Sequence, residues 1–379
     1  MSLGQTLTAF WIRLQGELFP FLDATLGPLG VRHQQLVTVL GLANLEMFVG
    51  AAPAGPGRPR GDRACLARAF VAKAVFNFPT TALLIEMLAC DPILRRLCGF
   101  MRRGEVPSEA TFSRAFADFS CTALPTRLHA ALIAHSHADR LVGHISRDST
   151  AIVARERAQP KPAPSPKPAR KNGRPRRGEV RPPPEPRRVE RQITMSIAAM
   201  LADLPQNCDV GTKRNARGHQ ESWTGYKLHI DSADGGIPIS CILTAASVHD
   251  SQAAIPLATI SAGRVTSLYD LMDSAYDVAE IRQHSQSLGH VPIIDTNPRK
   301  SAEKKAEIVG RQACRNRFGF QYAEQARYRE RTSAERVNSA LKDQHGGRTL
   351  RVKGAEKAMC HLMFGMLCLT ALQLVRLVT

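Results

Sequence analysis

The stretch YKLHIDSADGGIPISCILT, residues 226–244, decides the fold. Tyr226 to Asp231 and Pro238 to Thr244 are apolar and rich in β-formers, and the Ala-Asp-Gly-Gly between them is a hairpin turn signature. Two antiparallel strands are predicted here. Outward from this pair, Leu141 to Ile152 reads as an earlier strand, Val265 to Met272 as a fourth and Val291 to Ile294 as a fifth. Helical stretches fall between Ser251 and Ser261 and between Tyr276 and Leu288. A hairpin followed by alternating helix and strand implies an α/β sheet whose first strands are antiparallel and whose last are parallel. We place this unit at residues 141–379.

The preceding 140 residues carry no convincing alternation and read as a helical domain cut by Gly and Pro. Its clearest pieces are Arg63 to Phe76, Thr80 to Ala89 opened by a threonine cap, Pro92 to Phe100, and Ser108 to Phe119. Short connections between them suggest helix-turn-helix packing, in which Ser108 to Phe119 either reads bases or simply packs. The segment Gln159 to Arg188 is dense in Pro, Lys and Arg and nearly free of large apolar residues. It cannot build a core and is expected to be an extended basic insertion, a solvated linker that can also follow a phosphate backbone. Ala358 to Val378 is apolar enough to suggest a membrane span, but His361, Gln373 and Arg376 interrupt it and a buried helix is expected.

Lys and Arg number 51 against 33 Asp and Glu, a net charge of +18 and a pI near 10.0. Such a surface points to a polyanionic partner, DNA above all, with a ribosomal or membrane-surface protein as competing readings. The nine cysteines form no Cys-x-x-Cys pair, which argues against a zinc ribbon and for reduced thiols in a cytoplasmic, nucleoid-associated protein.

Three acids stand out. Asp148 in HISRDST lies towards the end of the first expected strand and Asp273 in SLYDLMDSAYD at the end of the fourth, the region where open α/β sheets gather catalytic groups. Either alone is equally well a cap or turn aspartate. In RYRERTSAERVNSALKDQ, the spacing of Tyr328, Arg331, Glu335 and Lys342 puts all four within roughly 60° on one face of a helix, along about 21 Å. The plainer reading is a solvated helix with an Arg331–Glu335 charge pair. Three carboxylates drawn together require a cation. Hard oxygen donors suit Mg²⁺ or Mn²⁺, and two such ions about 3.5–4 Å apart would serve in-line phosphoryl displacement.

At these residues the sequence resembles the bacterial insertion-sequence transposases of families four and five. The string Tyr328-x2-Arg331-x3-Glu335-x6-Lys342 is similar to the Y-R-E-K signature, Asp273 followed by Tyr276 to the second-aspartate motif, and Asp148 in RDST to the first. GYKLHIDSADGGIPI followed by TAASVHDS resembles the strands between those two aspartates, and DPILRRLCGF and SEATFSRAF resemble the preceding helical domain. The resemblance implies a ribonuclease H-like core in which Asp148, Asp273 and Glu335 bind the metals and Tyr328, Arg331 and Lys342 contact DNA. It further implies terminal inverted repeats and target DNA as partners, and a homo-oligomeric synaptic complex. Two rivals remain: a catalytically inactive or domesticated regulator derived from such an enzyme, and a tyrosine recombinase using Tyr328. His229 and His249 read as structural rather than as metal ligands.

Overall fold

In a computed structural model of the protein, residues 3–50, 61–137, 140–160, 185–214, 218–298, 301–319 and 322–379 are described. Most of the expected basic insertion, residues 161–184, lies outside them.

The chain opens with helices α1 (Leu3–Arg13), α2 (Phe19–Leu26), α3 (Val31–Ala43), α4 (Arg63–Val75), α5 (Thr81–Cys90), α6 (Pro92–Leu97), α7 (Glu109–Cys121) and α8 (Leu124–His137). Their starts are written in local side chains. Asp62 caps α4 by accepting from the Ala64 N–H at 2.8 Å, Thr80 caps α5 from Leu83 at 3.1 Å, and Asp91 caps α6 from Leu94 at 2.9 Å. α6 stops at Leu97, short of the expected Phe100, because Gly99 turns left-handed at φ +94° and the Phe100 N–H closes back on the Arg95 carbonyl.

Seven strands then form one sheet: β1 (Leu141–Ala154), β2 (Asp209–Arg214), β3 (Gln220–Ala233), β4 (Ile237–Ala245), β5 (Thr266–Met272), β6 (Val291–Ile294) and the short β7 (Thr349–Leu350). Its main path runs β2-β3-β1-β5-β6, with β4 on β3 and β7 on β1. β3 and β4 are the expected hairpin, turned through Asp234-Gly235-Gly236 with φ +75° and +70° at the glycines. β1 and β3 are antiparallel, while β1–β5 and β5–β6 are parallel. This is the ribonuclease H-like mixed sheet that the resemblance implies.

The remaining helices are α9 (Arg188–Gln192), α10 (Ile197–Asp203), α11 (Ser251–Ala262), α12 (Ala279–Ser287), α13 (Ala302–Phe318), α14 (Ala323–Tyr328), α15 (Thr332–Gln344) and α16 (Ala355–Arg376). α12 starts later than expected, because Ser274–Tyr276 is a separate 3-10 turn. The helical stretch expected around Glu335 is likewise divided: a 3-10 turn at Arg329–Arg331 separates α14 from α15.

The largest apolar core is shared by the N-terminal helices and the sheet. Leu66 and Phe70 of α4 and Leu128 of α8 pack with Val142 and Ile145 of β1, Ile237 and Ile239 of β4, and Phe364 and Leu367 of α16. Phe70 and Phe364 stack with centroids 5.8 Å apart. A buried polar tie joins the same elements, the His129 ring Nε2 lying 3.1 Å from both the Pro238 carbonyl and the Thr370 hydroxyl. α16 is the one described helix long and apolar enough to cross a membrane, and most of it is buried, divided between this core and a second one with Leu228 and Leu341, as a buried helix was expected to be.

Gly225 of β3 is paired on both sides, with Asp209 of β2 and with Val153 near the end of β1. Its φ is +150°, and a Cβ there would meet the Ile152 carbonyl oxygen at 2.2 Å and the Ala154 nitrogen at 2.8 Å. Both obstacles are backbone, so they cannot swing aside. Gly225→Ala is expected to cost about 2–4 kcal/mol from backbone strain and overpacking; a denaturant midpoint equal to that of the unaltered protein would refute this.

Candidate active site

Asp148 lies within β1, as the expected strand Leu141 to Ile152 placed it. The strand continues to Ala154, because β3 pairs with it antiparallel as far as Val153. The parallel neighbour β5 stops sooner. Arg147 lies opposite Met272 in the β1–β5 register, so Asp148 and Asp273 are the next residue on each of two adjacent strands. Asp148 therefore stands beside the gap left where β5 gives way to a turn. Asp273 opens that turn, accepting the Ala275 N–H at 2.9 Å as the cap of Ser274–Tyr276.

Both carboxyls are pushed above the ordinary aspartate range. Burial is the larger cause for Asp148, raising it to about 6, with the charges of Asp273 and Asp250 adding to the effect against the Ser149 N–H and Arg331. For Asp273 burial again leads, with Asp250 and Asp295 reinforcing it against the Ala275 N–H and Arg331. A site with this much uncompensated negative charge favours a cation.

α15 supplies the facing groups. The Asn338 side-chain amide donates to Asp148 Oδ2 at 2.9 Å. Arg331, just before α15, donates to Glu335 Oε1 at 2.7 Å, lies 3.9 Å from Asp148 Oδ1, and covers the Tyr328 ring at 5.7 Å. Arg331 is thus the protein's own cation between Asp148 and Glu335. Glu335 itself is exposed, with its side chain 56% accessible, and reaches Asp148 only through that guanidinium. Tyr328 is half-buried. Lys342, further along α15, is half-buried as well; burial lowers its proton affinity while the charge of Asp148 opposes that. Hence Asp148, Asp273 and Arg331 come together, and Glu335 stands at the rim. Among the described residues no three His, Cys, Asp or Glu side chains are grouped closely enough to hold a metal.

Sequence reasoning passed over Asp250, the cap position of α11. Its side chain accepts from Lys227 Nζ at 3.0 Å, is hydrogen-bonded to Ser149, and lies 4.0 Å from His229 Nδ1. Burial alone would raise its carboxyl, but His229, Lys227 and Ser149 hold it below the usual range. It is a fourth acid whose charge reaches both Asp148 and Asp273. Asn338 was missed too, though its place three residues after Glu335 and seven after Arg331 could have marked it. His229 and His249 make hydrogen bonds to Thr244 and Ser251, at 3.0 and 2.8 Å.

Two family models match the chain: a transposase DDE domain over residues 201–371 and a transposase domain (DUF772) over residues 28–118, together about two-thirds of its length. The chain belongs to the insertion-sequence DDE transposases. The first span contains Asp273, Tyr328, Arg331, Glu335 and Lys342, and begins after Asp148. No curated relative and no solved structure matches the chain. As a transposase the protein is an enzyme that binds DNA and cuts and joins its strands, and the family works with divalent metal ions. The donor set at the strand ends fits such an ion in chemistry, through two adjacent, partly buried carboxylates of raised proton affinity. Glu335, paired with Arg331 at the rim, is not placed with them.

Proposed function

We propose that this transposase cleaves and transfers the ends of an insertion sequence at a centre formed by Asp148, Asp273 and Glu335, with Tyr328, Arg331 and Lys342 holding the DNA beside it. The observation that carries this reading is the β1–β5 register, which makes two charge-burdened carboxylates neighbours facing Arg331 and α15. Magnesium or manganese, as a pair of ions in the sense of two-metal phosphoryl transfer, would neutralise the scissile phosphate and make water or a DNA 3′-hydroxyl a better nucleophile. Asp148 and Asp273 supply hard oxygen donors from a rigid sheet. Asn338 holds one oxygen of Asp148 and leaves the other toward Arg331. A cation held by the acids would free Arg331 for the phosphate, where its planar fork suits two oxygens at once.

In this reading residues 1–140 form the part that grips the DNA end, and residues 141–379 the part that cuts. Two copies brought together on a pair of terminal inverted repeats would form the synaptic complex, and the basic stretch 159–188 would add affinity without sequence preference. The test is the full chain on a duplex carrying the element's ends. Strand cleavage is expected in Mg²⁺ or Mn²⁺ and is expected to vanish with a chelator, while salt-sensitive DNA binding persists. End-specific binding with no cleavage in either ion would instead favour a regulator that has lost the chemistry.

A further inference from the structure

Tyr276 is 1% exposed, and its ring packs among Ala254, Ile255, Met272 and Ile294. Among the described residues its hydroxyl has no hydrogen-bond partner. An orphaned buried hydroxyl costs about 1–3 kcal/mol, and phenylalanine would fill the same space without that cost. What surrounds the oxygen supplies the reason for it. Tyr276 closes the turn that Asp273 caps, its own N–H bonding the Asp273 carbonyl at 3.1 Å. The ring rests against the first turns of α11, directly after Asp250. Burial raises the phenol's proton affinity, and the charges of Asp250, Asp148 and Asp273 add to it, so the group holds its proton and is a donor. A cavity of about 550 Å³, lined by His249, Ser251, Ala275 and Asn297 among others, opens beside the same turn.

We propose that Tyr276 is a positioning residue of the acid centre, its hydroxyl donating to a carboxylate oxygen there once a bound cation has drawn the acids together. The acids would then each have a donor of their own: Asn338 on Asp148 and Lys227 on Asp250, as now, and Tyr276 from the turn that Asp273 caps. Hydrogen bonds to ligating carboxylates fix their orientation, and removing one typically weakens metal binding or activity 10–100-fold.

This inference rests on the reading of Asp148 and Asp273 as the ion-binding acids, and the experiment separates the two. Mn²⁺ binding to the full-length protein, followed by the electron paramagnetic resonance of free Mn²⁺, is compared for the unaltered chain, Tyr276→Phe and Asp273→Asn. Tyr276→Phe is expected to bind Mn²⁺ about 10–100-fold more weakly while its metal-free melting temperature stays the same or rises. Unchanged Mn²⁺ affinity overturns the proposal, and so does a loss of affinity accompanied by a fall in the metal-free melting temperature, which marks a merely structural role. If Asp273→Asn binds Mn²⁺ as well as the unaltered chain, the proposed centre itself is wrong. If it loses binding and Tyr276→Phe does not, only the role of Tyr276 falls.

Discussion

Asp273→Asn is expected to abolish metal-dependent cleavage of the element's ends, by about 10³-fold or more, and to leave the protein folded. The two outcomes have different physical origins. Asparagine keeps a side-chain oxygen that can accept the Ala275 N–H now bonded at 2.9 Å, so the cap and the turn survive. It removes a formal negative charge and a hard anionic donor. Stabilisation of developing charge by a bound ion is worth several kcal/mol, and each 1.36 kcal/mol is tenfold in rate. Activity above about a tenth of that of the unaltered enzyme, in Mg²⁺ and at matched DNA occupancy, would remove Asp273 from the chemistry. Glu335 behaves differently in the fold. It has no cap to maintain, and its present partner is Arg331 at 2.7 Å.

Asp231→Ala is expected to cost about 3–5 kcal/mol of stability, the largest loss we foresee from a single side chain. Asp231 and Arg147 are buried at 0% and 1% exposure and form a two-pronged pair, Arg147 Nε and Nη2 each donating at 2.8 Å. The Ser261 hydroxyl donates to the same carboxylate at 2.6 Å and lies 2.6 Å from that of Ser240. Burial disfavours the charged guanidinium, but Asp231 and Asp270 more than offset it and Arg147 keeps its proton. Removing the carboxylate strips that cation of its two-pronged partner in a dry interior and leaves Asp270 as its remaining countercharge. Replacing both members by apolar residues of similar volume, Arg147→Met with Asp231→Leu, is expected to recover most of the loss. Urea unfolding of the two variants decides the matter. A loss below about 1 kcal/mol for Asp231→Ala would mean that the pair does not carry buried charge. Because Arg147 immediately precedes Asp148, the same pair also fixes the strand that presents the acid.

The hairpin and the mixed order of the sheet were legible because the turn, Asp234-Gly235-Gly236, and the strand alternation are local features. β6 fell on Val291–Ile294 as expected. β2 was not anticipated: Asp209–Arg214 is polar, and most of its side chains are exposed, so it carries no apolar period. α13 also escaped notice, for it buries none of its residues. The break before α15 had no signal in composition, since Arg329, Glu330 and Arg331 all favour helix. Two distant contacts flank it. Arg327 lies over the Tyr269 ring of β5 at 4.2 Å, and Arg331 reaches toward Asp148 of β1. Asp148, Asp273 and Glu335 were legible as candidates from position and spacing. Asp250 was not, because what marks it is Lys227, more than twenty residues away on β3, and no short motif records that pairing.

The core that joins α4 and α8 to α16 also orders events as the chain is made. Synthesis delivers α1 to α8 first, with Phe70 and Leu128 already waiting, but the surface that covers them belongs to residues 355–376. The whole sheet must emerge before Phe364 and Leu367 can arrive. Until then an apolar face stays open, the condition under which partly made chains aggregate or are captured by chaperones. A ribosome that stalls within the sheet therefore leaves a fragment whose apolar face is uncovered, so the N-terminal helices and the sheet are made useful only together.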